Sequence, residues 1–253
     1  MSSPSTPTTE PVPVALATRE GTGGDLADAS ATYTASDGTV AVAVIDGIGH
    51  EEGIVALAPV LAQVAARVGG RRGALPGLLT AALLVEGRGM YAPGPDAVAA
   101  LVVARPGGPV VGVWAGDTRI YGVSRDGRLR QYSTDQTWGQ QLREWGMPVD
   151  VARHGDDLIR QPLSRATAAT ITEVLIPVDE TVIITSDGVH DQVEPDRLAA
   201  LASQHANDPQ SLADTLVAAA RANADGYRDD ATALVLPRGA DRTPCPEPTD
   251  AVL

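Results

Sequence analysis

The chain has 253 residues, which at about 150 residues per domain allows one large domain or two small ones. With 43% hydrophobic and 20% charged residues it has a globular composition, which excludes a wholly disordered or fibrous chain. The net charge of -13 disfavours binding to nucleic acid or anionic membranes, so a bound phosphate would need a local source of attraction. A single cysteine, Cys245, excludes a disulfide or a cysteine-based zinc site within the chain.

Short runs rich in β-branched residues predict ten strands, in chain order 12–17, 31–34, 40–45, 98–103, 110–115, 119–124, 128–133, 171–176, 181–185 and 231–236. Asp37-Gly38, Asp126-Gly127 and the Pro-Gly-Gly-Pro segment 106–109 stand between neighbouring runs and predict hairpin turns. Helical spacing predicts helices over 54–68, 74–85, 137–145, 196–206 and 209–224. Consecutive strands with helices inserted in pairs indicate an α+β fold.

The run 40–45 is apolar on both faces, so it needs a covering layer on each side. This favours two antiparallel sheets packed face to face with helices outside. Segments 1–10 and 238–253 are rich in Pro, Thr and acidic residues, and we expect them to be disordered tails of one folded domain spanning 11–237. The N-terminus lacks a signal pattern and no uninterrupted apolar run approaches ~18 residues, so we expect a soluble, cytoplasmic protein.

Acidic residues follow or precede four of the predicted core strands. Asp46 follows the run 40–45, Asp117 follows 110–115, Asp187 and Asp191 follow 181–185, and Asp229 precedes 231–236. The Asp-Gly pairs at 46 and 187 are not followed by a returning strand, so turn chemistry alone does not explain them. Aspartates that converge in a chain without lysine would repel one another.

A divalent cation is the simplest way to relieve that repulsion. Ligands that are all oxygen, from carboxylate, backbone carbonyl and water, suit Mg²⁺ or Mn²⁺ rather than zinc. Gly47 allows its own carbonyl to turn towards such an ion. The residues by themselves therefore predict a metal site but not yet a reaction.

Four acidic motifs occur in an order and at spacings that resemble those of a known family. They are Asp46-Gly47-Ile48-Gly49, Gly116-Asp117-Thr118-Arg119, Ser186-Asp187-Gly188 with Asp191, and Asp229-Asp230-Ala231-Thr232. Between them, 129–136 resembles a strand ending in Thr-x-Asp-His, and 163–166 resembles a Leu-Thr-Arg-Ala segment. Over residues 20–236 the chain resembles bacterial members of the metal-dependent protein phosphatases, the type 2C serine/threonine family. The resemblance implies a four-layer α-β-β-α sandwich with two central antiparallel sheets.

The resemblance also implies a set of residues that hold metal ions or their water: Asp28, Asp46, Gly47, Asp117, Asp187, Asp191 and Asp229. Asp46 would bridge two ions, with Gly47 contributing its carbonyl. Asp187 and Asp229 would complete the shell of the second ion, and Asp28 would hold metal-bound water. Asp117 and Asp191 match the positions at which bacterial members bind a third ion more weakly. The implied cofactor is Mn²⁺ or Mg²⁺.

The implied reaction is hydrolysis of phosphoserine and phosphothreonine in proteins by a metal-bridged water, with Asp46, Asp187, Asp229 and His50 as catalytic residues. Two cations about 3.5–4 Å apart can lower the pKa of a shared water and clamp the oxygens of an in-line displacement. No nucleophilic side chain is then needed. The expected partner is a phosphoprotein that is the target of a Ser/Thr kinase, and we expect a monomer that binds neither nucleic acid nor membrane.

Three departures from the family pattern qualify the resemblance. The family usually has an arginine five residues before the N-terminal Asp to bind the phosphate, but Gly23 occupies that position, and Arg19 is the nearest substitute. His50 is either the family's nearby general acid displaced by one residue or a polar residue at a helix start. Gln136 stands where the family has histidine, which argues against a titrating role there.

Two alternatives to a protein phosphatase follow from these departures. A catalytically silent module that binds phosphopeptides would explain the missing arginine, whereas the complete aspartate set favours an enzyme. The same metal centre could also act on a small-molecule phosphate ester.

Overall fold

The computed structural model describes residues 14–85 and 94–239. Its strands are β1 (Ala15–Arg19), β2 (Ala29–Thr34), β3 (Val40–Gly47), β4 (Ala97–Ala104), β5 (Val110–Ala115), β6 (Arg119–Val123), β7 (Leu129–Gln131), β8 (Thr172–Ile176), β9 (Thr181–Thr185) and β10 (Ala231–Leu236). Its α-helices are α1 (Glu52–Arg72), α2 (Ala74–Ala82), α3 (Trp138–Glu144), α4 (Val149–Arg153), α5 (Asp187–His190), α6 (Pro195–Gln204) and α7 (Pro209–Ala219), with a 3-10 turn at Leu163–Arg165. Each of the ten predicted strands is confirmed.

The strands form two antiparallel five-stranded sheets. One has the order β1-β10-β9-β6-β7 and the other the order β2-β3-β4-β5-β8. Hairpins join β2 to β3 and β6 to β7, and their turns place Gly38 and Gly127 at φ 82° and 80°, in the left-handed region that favours glycine. The hairpin turns predicted at these two Asp-Gly pairs are therefore confirmed.

The two sheets pack face to face through an aliphatic core. Val40, Val42 and Val44 point from β3 towards the other sheet, where they join residues such as Ile184 and Leu234. The alternate residues of β3 point outwards and are covered by α1 and α2, while α6 and α7 cover the outer face of the other sheet. The four-layer α-β-β-α sandwich is confirmed, and it explains why β3 is apolar on both faces.

Helix α1 is the longest helix and is unusually apolar. Its 21 residues include an 18-residue window of mean hydropathy 1.5, which by length and composition would suffice to span a membrane. Ile54 and Leu61 on this helix are fully buried in the cluster that contains Ile45 of β3. Packing as a core helix therefore accounts for its apolar character.

The structure contains two short helices, α4 and α5, that were not predicted, and it ends α7 earlier than predicted. Residues 149–153 form α4, which the sequence pattern missed because five residues are too few to show helical periodicity. Helix α7 ends at Ala219 rather than at residue 224, since Ala220 has an extended backbone conformation and residues 221–227 are exposed. The predicted tail 1–10, and the part of the predicted tail 238–253 from residue 240 onwards, lie outside the described residues.

Candidate active site

Aspartates from separate segments of the chain line one cleft of about 520 Å³ at the end of the sandwich. Asp46 lies near the end of β3, Asp117 in the turn between β5 and β6, and Asp187 at the start of α5. Asp191 follows α5 and Asp229 precedes β10. The structure thus brings together residues that the strand-end pattern singled out, and Gly47 and His50 line the same cleft.

Asp28 lies behind these residues and is almost completely buried. Ser186 donates a hydrogen bond of 2.7 Å from its hydroxyl to Oδ2 of Asp28. Burial raises the pKa of Asp28 to about 7, although this hydrogen bond opposes the shift. The Asp28 charge in turn contributes to raising the pKa of Asp46 and Asp187.

The cleft carboxylates share a strongly unfavourable electrostatic environment. Burial raises the pKa of Asp46 and of Asp187 well above the ordinary value, and neighbouring charges add to it, that of Asp187 at Asp46 and that of Asp117 at Asp187. Burial and the charge of Asp135 raise the pKa of Asp117 to about 7. Burial raises the pKa of Asp191 to about 6, against the opposing effect of Arg119. Such a group of carboxylates needs protons or cations to become stable.

The donor set fits a hard divalent cation. Carboxylates and the backbone of Gly47 line the cleft, and among the described lining residues there is no cysteine and a single imidazole, that of His50. Asp187 N–H donates to Oδ2 of Asp46 over 3.4 Å, which holds two of these segments side by side. Within residues 14–85 and 94–239, no three His, Cys, Asp or Glu side chains are already drawn together as a preassembled metal site.

The two adjacent aspartates before β10 have different environments. Asp230 is buried and accepts hydrogen bonds of 2.7 Å from the backbone N–H groups of Gly21 and Ala27, so it anchors the segment between β1 and β2. Asp229 lines the cleft with 32% of its side chain exposed. Of these two, Asp229 is therefore the one that faces the cleft, and its role as a metal ligand stays a prediction.

Helix α5 is held close to β10 because Gly188 has no side chain. A Cβ at Gly188 would collide with the backbone carbonyl of Asp230. On the other face of α5, His190 is buried, its Nδ1 lies 2.8 Å from the Thr185 hydroxyl, and burial holds its pKa well below the usual range. His190 is therefore a neutral, structural residue.

Arg19 and Gln136 lie away from the position that a phosphate would occupy in the cleft. Arg19 donates from Nη2 to the Ala220 carbonyl oxygen at 2.5 Å, and it is not among the residues that line the cleft. Gln136 accepts a hydrogen bond of 2.9 Å from Gly116 N–H and donates to the Thr170 carbonyl, so it supports the turn that carries Asp117. The structure thus does not bring Arg19 to the aspartates.

Several cleft residues escaped the sequence reasoning: Asp157, Gln192, Asn223 and Tyr227. Gln192 and Tyr227 lie within two residues of Asp191 and Asp229 but are not themselves acidic, and Asp157 and Asn223 have no motif around them. Only the folded chain shows that all four line the cleft. A second cleft of about 780 Å³ adjoins the first and shares Asp117 and Asp191. There Arg119 forms a bidentate ion pair with Asp135.

Comparison with known proteins identifies the fold. No protein-family model matches the sequence, and no curated protein matches it significantly. Solved structures match it over most of its length. The S. agalactiae serine/threonine phosphatase has a TM-score of 0.73 at 16% identity and covers 90% of this chain and 99% of its own. The Mycobacterium tuberculosis serine/threonine phosphatase PstP/Ppp has a TM-score of 0.69 at 20% identity, covering 90% and 98%.

A third match is the PPM Ser-Thr phosphatase MsPP from Mycobacterium smegmatis, solved in complex with cacodylate, with a TM-score of 0.69 at 22% identity, covering 90% of this chain and 100% of that one. At such identities the shared property is the fold. The chain has the fold of the bacterial PPM, or type 2C, serine/threonine phosphatases, as the sequence resemblance predicts.

Proposed function

We propose that this chain is a phosphatase, dependent on Mn²⁺ or Mg²⁺, that hydrolyses phosphoserine and phosphothreonine in proteins. The observation that carries the proposal is the gathering of Asp46, Asp117, Asp187, Asp191 and Asp229 round one cleft. The fold supports it, because proteins of known phosphatase activity share the arrangement of both sheets.

Bound divalent cations would supply a Lewis acid and a water of lowered pKa, which is the chemistry that hydrolysis of a phosphate ester requires. Asp46, Asp187 and Asp229 would hold the ions, with the Gly47 carbonyl as a further oxygen donor. Asp117 and Asp191 would hold a third ion at the boundary with the second cleft. Three further residues hold the segments that carry these aspartates in position. Ser186 donates to Asp28, Asp230 accepts from the Gly21 backbone, and Gly188 lets α5 pack closely against Asp230.

The test is hydrolysis of an aryl phosphate and of a phosphothreonine peptide in the presence of Mn²⁺. We expect activity that is lost with chelator and falls by at least 100-fold in Asp46→Asn and in Asp187→Asn. Asp179→Asn is the matched control, since Asp179 is exposed and does not line the cleft. Activity that survives both substitutions, or that does not depend on a metal, would contradict the proposal.

The same assay addresses the alternatives. No arginine lines the cleft in the described part of the chain, and this departure from the family pattern is what keeps a catalytically silent module as an alternative. Binding of the phosphopeptide without turnover would identify that module. Turnover of small esters without turnover of any phosphopeptide would identify a small-molecule phosphatase.

A further inference from the structure

A groove of about 600 Å³ lies between α6 and α7, in the helical layer outside the β1-β10-β9-β6-β7 sheet. Among its described lining residues, Gln192 is the one that the groove shares with the active-site cleft. A volume of this size falls within the range of about 300–1,000 Å³ that is usual for small-molecule sites in proteins. The groove is therefore large enough for a ligand of its own, separate from the aspartates.

The spacing of residues along the two helices creates this groove. On α6, Arg197, Leu201 and Gln204 are four and three residues apart, so they share one face of the helix, and all three line the groove. The facing positions on α7 include Ala218 and Ala219, whose small side chains leave space between the helices. Leu201 is only 2% exposed and gives the groove an apolar floor. This floor suits the apolar part of a ligand.

The rim of the groove is positively charged in a chain whose net charge is -13. Arg197 and Arg221 both line it, whereas Glu194 is its one carboxylate among the described residues. Within residues 14–85 and 94–239, neither guanidinium has an ion-pair partner. Guanidinium groups bind carboxylate, phosphate and sulfonate oxygens through charge-assisted hydrogen bonds. The groove thus combines an apolar floor with two cations that are available to an anion.

We propose that the groove between α6 and α7 binds a small organic anion. Its carboxylate, phosphate or sulfonate group lies between Arg197 and Arg221, and its apolar part lies over Leu201 and the two alanines of α7. This site goes beyond the proposed function and does not depend on it, because none of the clustered aspartates takes part in it.

Gln192 connects the groove to the active-site cleft. Its amide, oriented to satisfy both neighbours, donates to the Arg221 carbonyl at 2.9 Å and accepts from Asp229 N–H at 2.8 Å. A ligand that holds Arg221 in place therefore also holds this bridge to the segment that carries Asp229. We expect the occupied groove to favour cation binding in the cleft, and the two ligands must then strengthen each other by the same factor.

The direct test is a fluorescence titration of the metal-free full chain with anilinonaphthalene sulfonate, an aromatic anion that fluoresces in apolar surroundings. Without metal, the carboxylates of the cleft repel the sulfonate, so the titration reports on the groove. We expect saturable binding whose dissociation constant rises about tenfold in Arg197→Gln and in Arg221→Gln, in line with one lost charge-assisted hydrogen bond each. Both arginines are exposed, so we expect both variants to fold.

Arg72→Gln is the matched control, because it removes the same charge from an exposed residue of α1 that does not line the groove. It should leave the dissociation constant unchanged. Absence of saturable binding by the wild-type chain, or equal affinity in Arg197→Gln, Arg221→Gln and Arg72→Gln, would overturn the proposal.

Two further variants test charge and space separately. Glu194→Gln removes the opposing carboxylate and should tighten binding of the dye about threefold. Ala218→Leu changes no charge but fills the groove from an exposed position of α7, so it should weaken binding at least about fivefold. Weaker binding in Glu194→Gln, or unchanged binding in Ala218→Leu, would place the dye elsewhere on the molecule and contradict the proposal.

Competition identifies the class of ligand. Phenylnaphthylamine, which has the same apolar body without the sulfonate, should bind at least about tenfold more weakly than the dye. Benzoate and phenyl phosphate should displace the dye. Equal binding of the neutral compound would show that charge has no role. Displacement by a glutamate-rich peptide, but not by these small anions, would show that the groove receives an acidic protein segment and would overturn the assignment.

The link through Gln192 is tested by repeating the titration in saturating Mg²⁺. We expect Mg²⁺ to lower the dissociation constant of the dye about threefold. Gln192→Leu should still bind the dye but lose this dependence on Mg²⁺, since the bridge between Arg221 and Asp229 is gone. A Mg²⁺ effect that persists in Gln192→Leu would contradict the link, and so would wild-type binding that does not respond to Mg²⁺.

The outcomes for the groove and for the proposed function are distinguishable. Binding of the dye through Arg197 and Arg221 in a chain that hydrolyses no phosphate ester would contradict the proposed function alone. Metal-dependent hydrolysis by a chain in which neither arginine affects the dye would contradict the groove site alone.

Discussion

Ser186 connects buried polar groups at the base of the cleft. Its hydroxyl donates to Asp28 and accepts a hydrogen bond of 2.9 Å from Thr232 N–H. We expect Ser186→Ala to lower the free energy of unfolding by about 1–3 kcal/mol, because a buried N–H and a buried carboxyl oxygen both lose their partner. Urea unfolding measures this, with the exposed Ser203→Ala of α6 as control. A change below 0.5 kcal/mol in Ser186→Ala would contradict the role of this hydroxyl.

Single residues show where sequence reasoning succeeds and where it stops. Asp46 and Asp187 could be found because each follows a strand with no return strand after it, which is a local pattern. The contact between Gly23 and His50 could not be found, since no periodicity relates two residues in different loops. Tyr227 was missed for the same reason. It lines the cleft only because the pairing of β10 with β1 brings this part of the chain there.

At the level of elements, the contact between α5 and the start of β10 fixes the spacing of Asp187 and Asp229. We expect Gly188→Ala to force these elements apart, because its Cβ would meet the Asp230 backbone, which cannot rotate away. Overpacking of this kind costs about 1–3 kcal/mol of stability. Gly53→Ala in α1 is the control, since its Cβ would make only ordinary contact, at 3.5 Å, with Pro95.

Thermal unfolding and Mg²⁺ titration of both variants would check this prediction. Gly188→Ala should lose stability and cation affinity together, whereas Gly53→Ala should lose neither and should gain up to about 1 kcal/mol from the better helix propensity of alanine. Equal stability of the two variants would show that α5 can shift without cost.

The elements themselves were predictable to different degrees. The strands could be predicted from runs rich in Val, Ile and Ala. The four-layer arrangement could be predicted as well, because β3 is apolar on both faces and needs a covering layer on each side. Helix α4 could not be predicted, because its five residues are too few to show an apolar stripe with helical spacing. The pairing of β1 with β10 joins residues more than 200 positions apart and has no local signal.

For the whole molecule, the cleft carboxylates predict a stability that depends on pH and on cations. The pKa of Asp28 and of Asp117 is raised to about 7, and an acid whose pKa is higher in the folded chain stabilises the fold when protonated. This stabilisation is present below the unfolded pKa of about 4 and is lost as pH rises to about 7. In chelator, we therefore expect Tm to fall between about pH 5 and pH 8.

Mg²⁺ should reverse this trend, because it binds the deprotonated ligands. At 100 times its dissociation constant it would add about 2.7 kcal/mol near neutral pH and little at pH 5. Scanning fluorimetry across pH with Mg²⁺ or chelator measures both effects. Two results would contradict this electrostatic description of the cleft. One is a Tm in chelator that rises from pH 5 to pH 8, and the other is an increase of Tm by Mg²⁺ that is the same at pH 5 and at pH 8.

The register of β1 against β10 also determines where attached sequences can go. Ala15 pairs with Val235 and Arg19 with Ala231, and the cleft lies at the Arg19 end of this ladder. Both ends of the described chain therefore emerge at the opposite end, about 17 Å away along five extended residues. Neither end of the described chain therefore reaches the mouth of the cleft, and that mouth stays open to a large incoming molecule on the side of Arg19.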